Sequence, residues 1–209
     1  MCASYGLDPR FSDKSGILAD DADLLAELAD WARDNDGETL RPTGKNRKNL
    51  NPILTPRGSD LELRPAWWGY LIRGEPARFT SHITRSEKVR ATSGPVKPRA
   101  LVPATSWFEM QKPQRVWHEM GLAELFLMAA VIQPGRYEDT EYTCYSILMQ
   151  DSPGSVAPVH DRSPVLVPAD FQAEWLTATA PAEELIAEAV ARSTELLERV
   201  TATALASRP

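Results

Sequence analysis

Residues 100–110 read ALVPATSWFEM, residues 124–132 ELFLMAAVI and residues 142–149 YTCYSILM. Each stretch is about as long as a strand and is bounded by Pro, Gly or charged turns. Glu62–Leu71, ELRPAWWGYL, is a fourth of the same kind. Strands that follow one another with no helical period between them argue against βαβ units and for an antiparallel sheet or a partial barrel. The expected fold class is therefore α+β: a mainly antiparallel, barrel-like β-sheet with flanking helices.

The helices come from the two ends of the chain. Asp20–Asn35, DDADLLAELADWARDN, sets Leu24, Leu25, Leu28 and Trp31 at helical spacing behind an acidic first turn, which reads as a surface helix. Asn35–Gly58 is rich in Asn, Lys, Arg, Pro and Gly and reads as an extended basic loop. Pro168–Leu176 is expected to be a short helix. Pro181–Ala206 reads as a longer amphipathic one, with Leu185, Ile186, Ala189, Val190, Leu196, Leu197 and Val200 opposite a row of glutamates. No repeat, low-complexity segment or long linker divides the chain, so a single domain over 1–209 is expected.

With 209 residues, 43% hydrophobic and 25% charged, the chain lies in the ordinary globular range and can bury one sizeable core. Its longest apolar stretch, Leu125–Ile132, falls far short of the roughly 20 residues that span a bilayer. The N-terminal stretch MCASYGLDPRF lacks the basic and apolar regions of a secretory signal. A cytoplasmic location is expected, with reduced thiols. Two cysteines and three histidines make a disulfide or a metal site a poor expectation. Cys144, inside a strand of mixed polarity, reads as a small buried residue.

The net charge of −6 hides a segregation along the chain. Between Arg41 and Arg115 there are 15 Lys and Arg against 5 Asp and Glu, a balance of +10, which leaves −16 for the rest. Gathered on one face, that basic third would form an anion-binding groove suited to a phosphate backbone. Scattered, the same residues would simply solvate loops.

Three residues carry the chemistry. Cys2 follows Met1, and removal of a methionine before a small residue would leave a cysteine with a free α-amine. An α-amine near pKa 8 and a thiol near 8.5 are both partly nucleophilic at neutral pH. On one carbon skeleton they can take an aldehyde first as a Schiff base and then close a thiazolidine ring. A cysteine at position 2 can equally be inert. Glu109 stands beside Trp107 and Phe108, where desolvation would raise its pKa toward the range useful for proton transfer, unless it merely occupies a strand's exposed end. His160, in the turn Val159-His160-Asp161-Arg162-Ser163-Pro164, is the natural shuttle near pH 7, or else a structural histidine in a turn.

Cys2 directly after Met1, Trp107-Phe108-Glu109, Phe126-Leu127-Met128-Ala129-Ala130 and His160-Asp161-Arg162 with Pro164 together resemble the SOS response associated peptidase (SRAP) family. Trp68-Gly69-Tyr70 and Arg85-Ser86-Glu87 look like two further family segments. The resemblance covers most of the chain and rests on the order and spacing of these segments. It implies the barrel-like fold above and a protein that captures abasic sites in single-stranded DNA through its N-terminal cysteine, as part of the DNA damage response. It also implies a capacity to cleave a leader ahead of that cysteine. In that resemblance Cys2 is the nucleophile, Glu109 holds and deprotonates the α-amine, and His160 helps to open the abasic sugar. Arg85 falls on a phosphate-contacting arginine, and Arg73 and Arg162 are taken as further DNA contacts. The partner implied is single-stranded DNA containing abasic sites, with no metal or organic cofactor; a monomer is the favoured state.

The sequence departs from the family pattern in three places. The asparagine expected two residues before Arg85 is Ile83, with His82 just before it as a substitute if the register slips. An apolar side chain cannot supply that amide's hydrogen bonds. Arg73-Gly74-Glu75 occupies the region of the paired tryptophans that often follow the Trp-Gly segment, which removes one stacking platform for a base. Met149 stands where a threonine is usual. Two other readings stay open: a cysteine-nucleophile hydrolase using Cys2 and His160 as a dyad, and a non-catalytic single-stranded DNA-binding relative.

Overall fold

A computed structural model describes residues 4–18, 21–35, 50–58, 60–92, 94–96, 98–154, 156–207 and 209. Cys2 lies outside the described residues, as does most of the expected basic loop, residues 36–49. In chain order the elements are β1 (Tyr5–Gly6), α1 (Ala22–Asp34), β2 (Leu50–Arg57), β3 (Asp60–Trp68), β4 (Leu71–Ile72), β5 (Glu75–Pro76), β6 (Ile83–Arg85) and α2 (Ser86–Arg90). There follow β7 (Arg99–Ala104), β8 (Ser106–Gln111), β9 (Val116–Gly121), β10 (Phe126–Tyr137), β11 (Thr140–Asp151), β12 (Arg162–Pro164) and β13 (Leu166–Val167). A 3-10 turn at Ala169–Phe171, α3 (Gln172–Thr177), α4 (Ala182–Leu197) and β14 (Thr201–Leu205) complete the chain.

The fold is α+β, built on a closed barrel of five strands in the order β11-β3-β2-β7-β10, with β10 pairing back onto β11. The pairings are antiparallel except where β11 runs parallel to β3 and to the short β6. Closure leaves no free edge in the ring, and the long hairpin β10–β11 supplies most of the seam. A second sheet, β1-β8-β9-β14, packs beside it. The core runs from Tyr5 to Val200 and takes side chains from α1, α3 and α4 as well as from the barrel.

Helix α1 forms where its apolar spacing predicts. The Asp21 carboxylate caps it by accepting the Leu24 N–H at 2.8 Å, and Leu24, Leu28 and Ala32 form its buried stripe.

Four expectations are corrected. Leu50–Arg57 is a strand, not loop, with Asn51 through Thr55 buried. Its prolines obscured this. Pro52 pairs with Pro65 of β3, so that pair is one of the alternate antiparallel pairs that need no N–H. The side facing β7 shrinks to the single pair Leu54–Leu101, as expected where proline nitrogens cannot donate. Ala100–Met110 is not one strand but two, split at Thr105, with β7 in the barrel and β8 in the second sheet. Val116–Gly121 is a strand that the sequence did not reveal. The last helix stops at Leu197, and Thr201–Leu205 pairs antiparallel with β9, because its alternating threonines suit a pleated surface better than a helix.

Candidate functional site

Strand β8 brings the carboxylate to the site. Side chains two apart on a strand share a face, so Glu109 points the same way as Trp107. Their cross-strand partners are His118 and Met120 of β9. Trp107 and Met120 are at most 1% exposed, and Glu109 itself is 2% exposed. The strand-end alternative is thereby excluded. Burial pushes the Glu109 carboxyl from its ordinary 4.5 up to about 7, and the Asp161 carboxylate acts in the same direction.

The loop between β11 and β12 brings the imidazole. It is closed by a run of turns from Pro153 to His160 and a 2.6 Å contact between the Ser152 and Ser163 hydroxyls. Gln111, the last residue of β8, donates its amide to the Pro158 carbonyl at 2.9 Å, which ties this loop to the strand that carries Glu109. As a result His160 Nε2 lies 3.9 Å from Glu109 Oε2. The backbone N–H of Arg162 donates to His160 Nδ1 at 3.0 Å, which favours the neutral ring with its proton on Nε2, facing Glu109. Asp161 Oδ1 lies 2.9 Å from the same Nδ1 and would favour the charged ring. Asp161 is largely exposed, so water weakens its pull. The net effect is an imidazole held below its usual pKa, by burial first.

The Arg162 side chain is held between Glu87 of α2, at 2.6 Å, and Asp151 of β11, at 3.3 Å. This pairing fixes the residue whose backbone orients His160 and neutralises part of its charge. Arg85 pairs in register with Met149 and is exposed. Arg73 is exposed at the tip of the β4–β5 hairpin. Neither makes an ion pair among the described residues. Lys112, just past β8, also bears electrostatically on His160. In the expected place of the family asparagine, Ile83 packs against the core. The half-buried His82 meets the Trp68 ring edge-on at 5.8 Å and accepts the Trp68 indole N–H on its carbonyl at 2.8 Å.

The chain enters this site through Ser4, 3% exposed, whose carbonyl accepts the Phe108 N–H at 3.0 Å. Beside it lies a buried polar cluster that sequence reasoning missed. The Tyr5 and Tyr145 hydroxyls are 2.7 Å apart, and the Asn51 amide donates to Tyr145 at 3.1 Å. The Tyr5 ring packs on Trp68 at 4.8 Å. These partners are 94 and 140 residues apart, so no local spacing could have revealed them.

The resulting constellation is a neutral-prone carboxyl and a neutral imidazole 3.9 Å apart, at the entry of the N-terminal segment, with Arg73 and Arg85 outside and in no ion pair among the described residues. Solved structures share this fold. A protein from Bordetella bronchiseptica superposes with a TM-score of 0.58 at 17% identity, over 75% of this chain and 83% of its own. One from Bacteroides thetaiotaomicron gives 0.56 at 18%, over 74% and 72%. A phage-related protein from Bordetella bronchiseptica gives 0.58 at 21%, over 99% and 95%. No curated protein matches the sequence. Among the described residues no helix is long and apolar enough to cross a membrane. The family model of the SOS response associated peptidases matches residues 20–206, and the chain therefore belongs to the SRAP family.

Proposed function

We propose that this protein captures abasic sites in single-stranded DNA by a covalent bond to Cys2, with Glu109 and His160 moving the protons. The observation that carries this reading is a carboxyl 2% exposed, pushed to about pH 7, with an imidazole nitrogen 3.9 Å away. A purely structural pair would favour a fully ionised bridge; this one is poised to exchange protons near neutrality. β1 runs antiparallel to β8, with Tyr5 opposite Trp107 and the Ser4 carbonyl accepting the N–H of Phe108, the residue next to Glu109.

Once Met1 is removed, the steps balance without a cofactor. As the ring C–O bond breaks, the Nε2 proton of His160 passes to the ring oxygen of the abasic sugar, and the hemiacetal hydroxyl's proton, taken up by ionised Glu109, replaces it on Nε2, so both side chains end as they began and the aldehyde is freed. Ionised Glu109 takes a proton from the α-ammonium. The amine adds to the aldehyde carbon, the aldehyde oxygen leaves as water, and an imine forms. The Cys2 thiolate then adds to the imine carbon and closes a five-membered ring. Two bonds to carbon form, C–N and C–S, and one water is lost.

Rates of conjugate formation on denaturing gels test the assignment. Cys2→Ala should give no conjugate. Glu109→Gln and His160→Ala should each slow it by roughly 10²- to 10⁴-fold, the range for a general acid or base. Wild-type rates in either variant would refute the roles given to them. A second reading, binding without capture, is favoured by one observation: Ile83 leaves no amide at its position. It requires salt-sensitive binding to single strands and no conjugate from wild type.

A further inference from the structure

A cleft of about 480 Å³ opens between α2, α4 and the end of β11, a volume suited to a small molecule. Helix α4 gives it an apolar wall through Ala187 and Val190, while Glu87 of α2 and Asp151 of β11 contribute exposed carboxylates. These two carboxylates share one guanidinium, that of Arg162, at 2.6 and 3.3 Å. Arg90 also lines the cleft, but its charge is answered by Glu183 at 3.3 Å. Three carboxylates against two guanidinium groups leave one negative charge over, which favours a cation as occupant.

A second observation concerns Gln150, which lines the same cleft and is 2% exposed. Its Oε1 accepts no hydrogen bond. Its Nε2 donates to Thr194 Oγ1 at 3.4 Å, while the Thr194 hydroxyl donates to the Val190 carbonyl at 2.8 Å. Turning the amide over would set Oε1 against a hydroxyl whose proton is already engaged, so this pair cannot satisfy it. Buried acceptors without a donor are rare in native proteins and call for a partner. The one bond that holds the amide is long and weak, which leaves it able to turn toward a donor in the cleft. A water would satisfy the amide, but neither the excess charge nor the apolar wall.

We propose that this cleft is a regulatory site for a small organic cation, an alkylammonium or alkylguanidinium, whose N–H groups serve Gln150 Oε1 and the two carboxylates while its alkyl part lies on Ala187 and Val190. Such a ligand competes with Arg162 for Glu87 and Asp151. The Arg162 backbone N–H is the group that donates to His160 Nδ1, at 3.0 Å. Pro153, where the loop that carries His160 begins its turns, lines the same cleft. Occupancy therefore reaches the imidazole through both residues.

The test is a titration of the full chain with n-butylguanidinium followed by NMR, with 1-butanesulfonate, the same tail bearing the opposite charge, in parallel. The chain has three histidines, so the spectrum of His160→Ala identifies the His160 ring resonance. The cation should shift backbone resonances of α2, α4 and Asp151 saturably, and the His160 ring with them; the sulfonate should shift neither. Ala187→Phe fills the cleft from a half-buried helix position and should abolish binding in a folded protein. Gln150→Leu should weaken binding by roughly 10- to 150-fold, the loss of a hydrogen bond to a charged group. Because it also removes the acceptor that lacks a donor, it should melt no lower than wild type. The inference is overturned if the cation gives no saturable shift, if both ions bind alike, or if Ala187→Phe binds as wild type does. Saturable binding that leaves the His160 ring unmoved would overturn the regulatory role. None of these readouts involves DNA, so a wild-type chain that forms no conjugate would remove the capture reading and leave this site standing.

Discussion

Replacing Glu109 by glutamine should stabilise the protein at alkaline pH relative to wild type and lose that advantage in acid. A carboxyl moved from 4.5 to about 7 carries about 3 kcal/mol of differential free energy, at about 1.4 kcal/mol per pH unit. Because the folded pKa is raised, the unfolded chain releases this proton first. Between pH 4.5 and about 7 the folded state holds more protons, and wild-type stability falls as pH rises; outside that window the contribution is flat. Glutamine is neutral throughout and escapes the loss. Urea denaturation of both proteins at pH 4.5 and pH 8 isolates this residue, since other groups cancel in the difference. The stability gap should move by about 3 kcal/mol in favour of Glu109→Gln between the two pH values. A gap that does not change with pH would mean that Glu109 ionises like an exposed carboxylate, and the burial argument for its catalytic role would fail.

Other perturbations address other parts of the structure. Conjugate formation by wild type should rise with pH through a midpoint near 7 as Glu109 ionises; a flat profile from pH 5 to 8 would contradict its role as base. Arg162→Ala removes contacts to Glu87 and Asp151 that lie near the surface, so urea denaturation should show a loss of only about 1 kcal/mol, while conjugate formation slows because His160 loses its brace. Gly135→Ala would place a methyl group against Cys144 Sγ and within 2.9 Å of Leu71 Cβ, and should cost about 1–3 kcal/mol in the same assay. Tyr145→Phe removes the hydroxyl shared by Tyr5 and Asn51 in a buried setting, for an expected loss of about 1–3 kcal/mol.

Much of the architecture follows from local pattern. The spacing of Leu24 and Leu28 marks α1, and the apolar runs at Phe126 and Tyr145 mark the two strands that close the barrel. Elements escaped where local pattern conflicts with tertiary context. Prolines at 52 and 56 read as loop, yet they fall in ladder positions that make no demand on their nitrogens. The break at Thr105 has no local signature, since it is the chain's transfer from one sheet to the other that divides β7 from β8; the Thr105 N–H bonds to the Gly6 carbonyl. Thr201–Leu205 follows a helix without a proline or glycine between, and only pairing with β9 makes it a strand. At the site, the aromatic neighbours of Glu109 were visible, but its direction was not. Only the shared face with Trp107 and Met120, and the tether from Gln111 to Pro158, bring the carboxyl inward and His160 to it.

The most direct test of the central claim is the intact mass of the protein before and after incubation with a single-stranded oligonucleotide that carries one abasic site. Capture requires a chain lacking Met1 and a new species at the mass of protein plus oligonucleotide minus one water, absent from Cys2→Ala. A processed, folded wild-type chain that binds the oligonucleotide yet yields no such species, or a Cys2→Ala variant that yields it equally, would contradict the account.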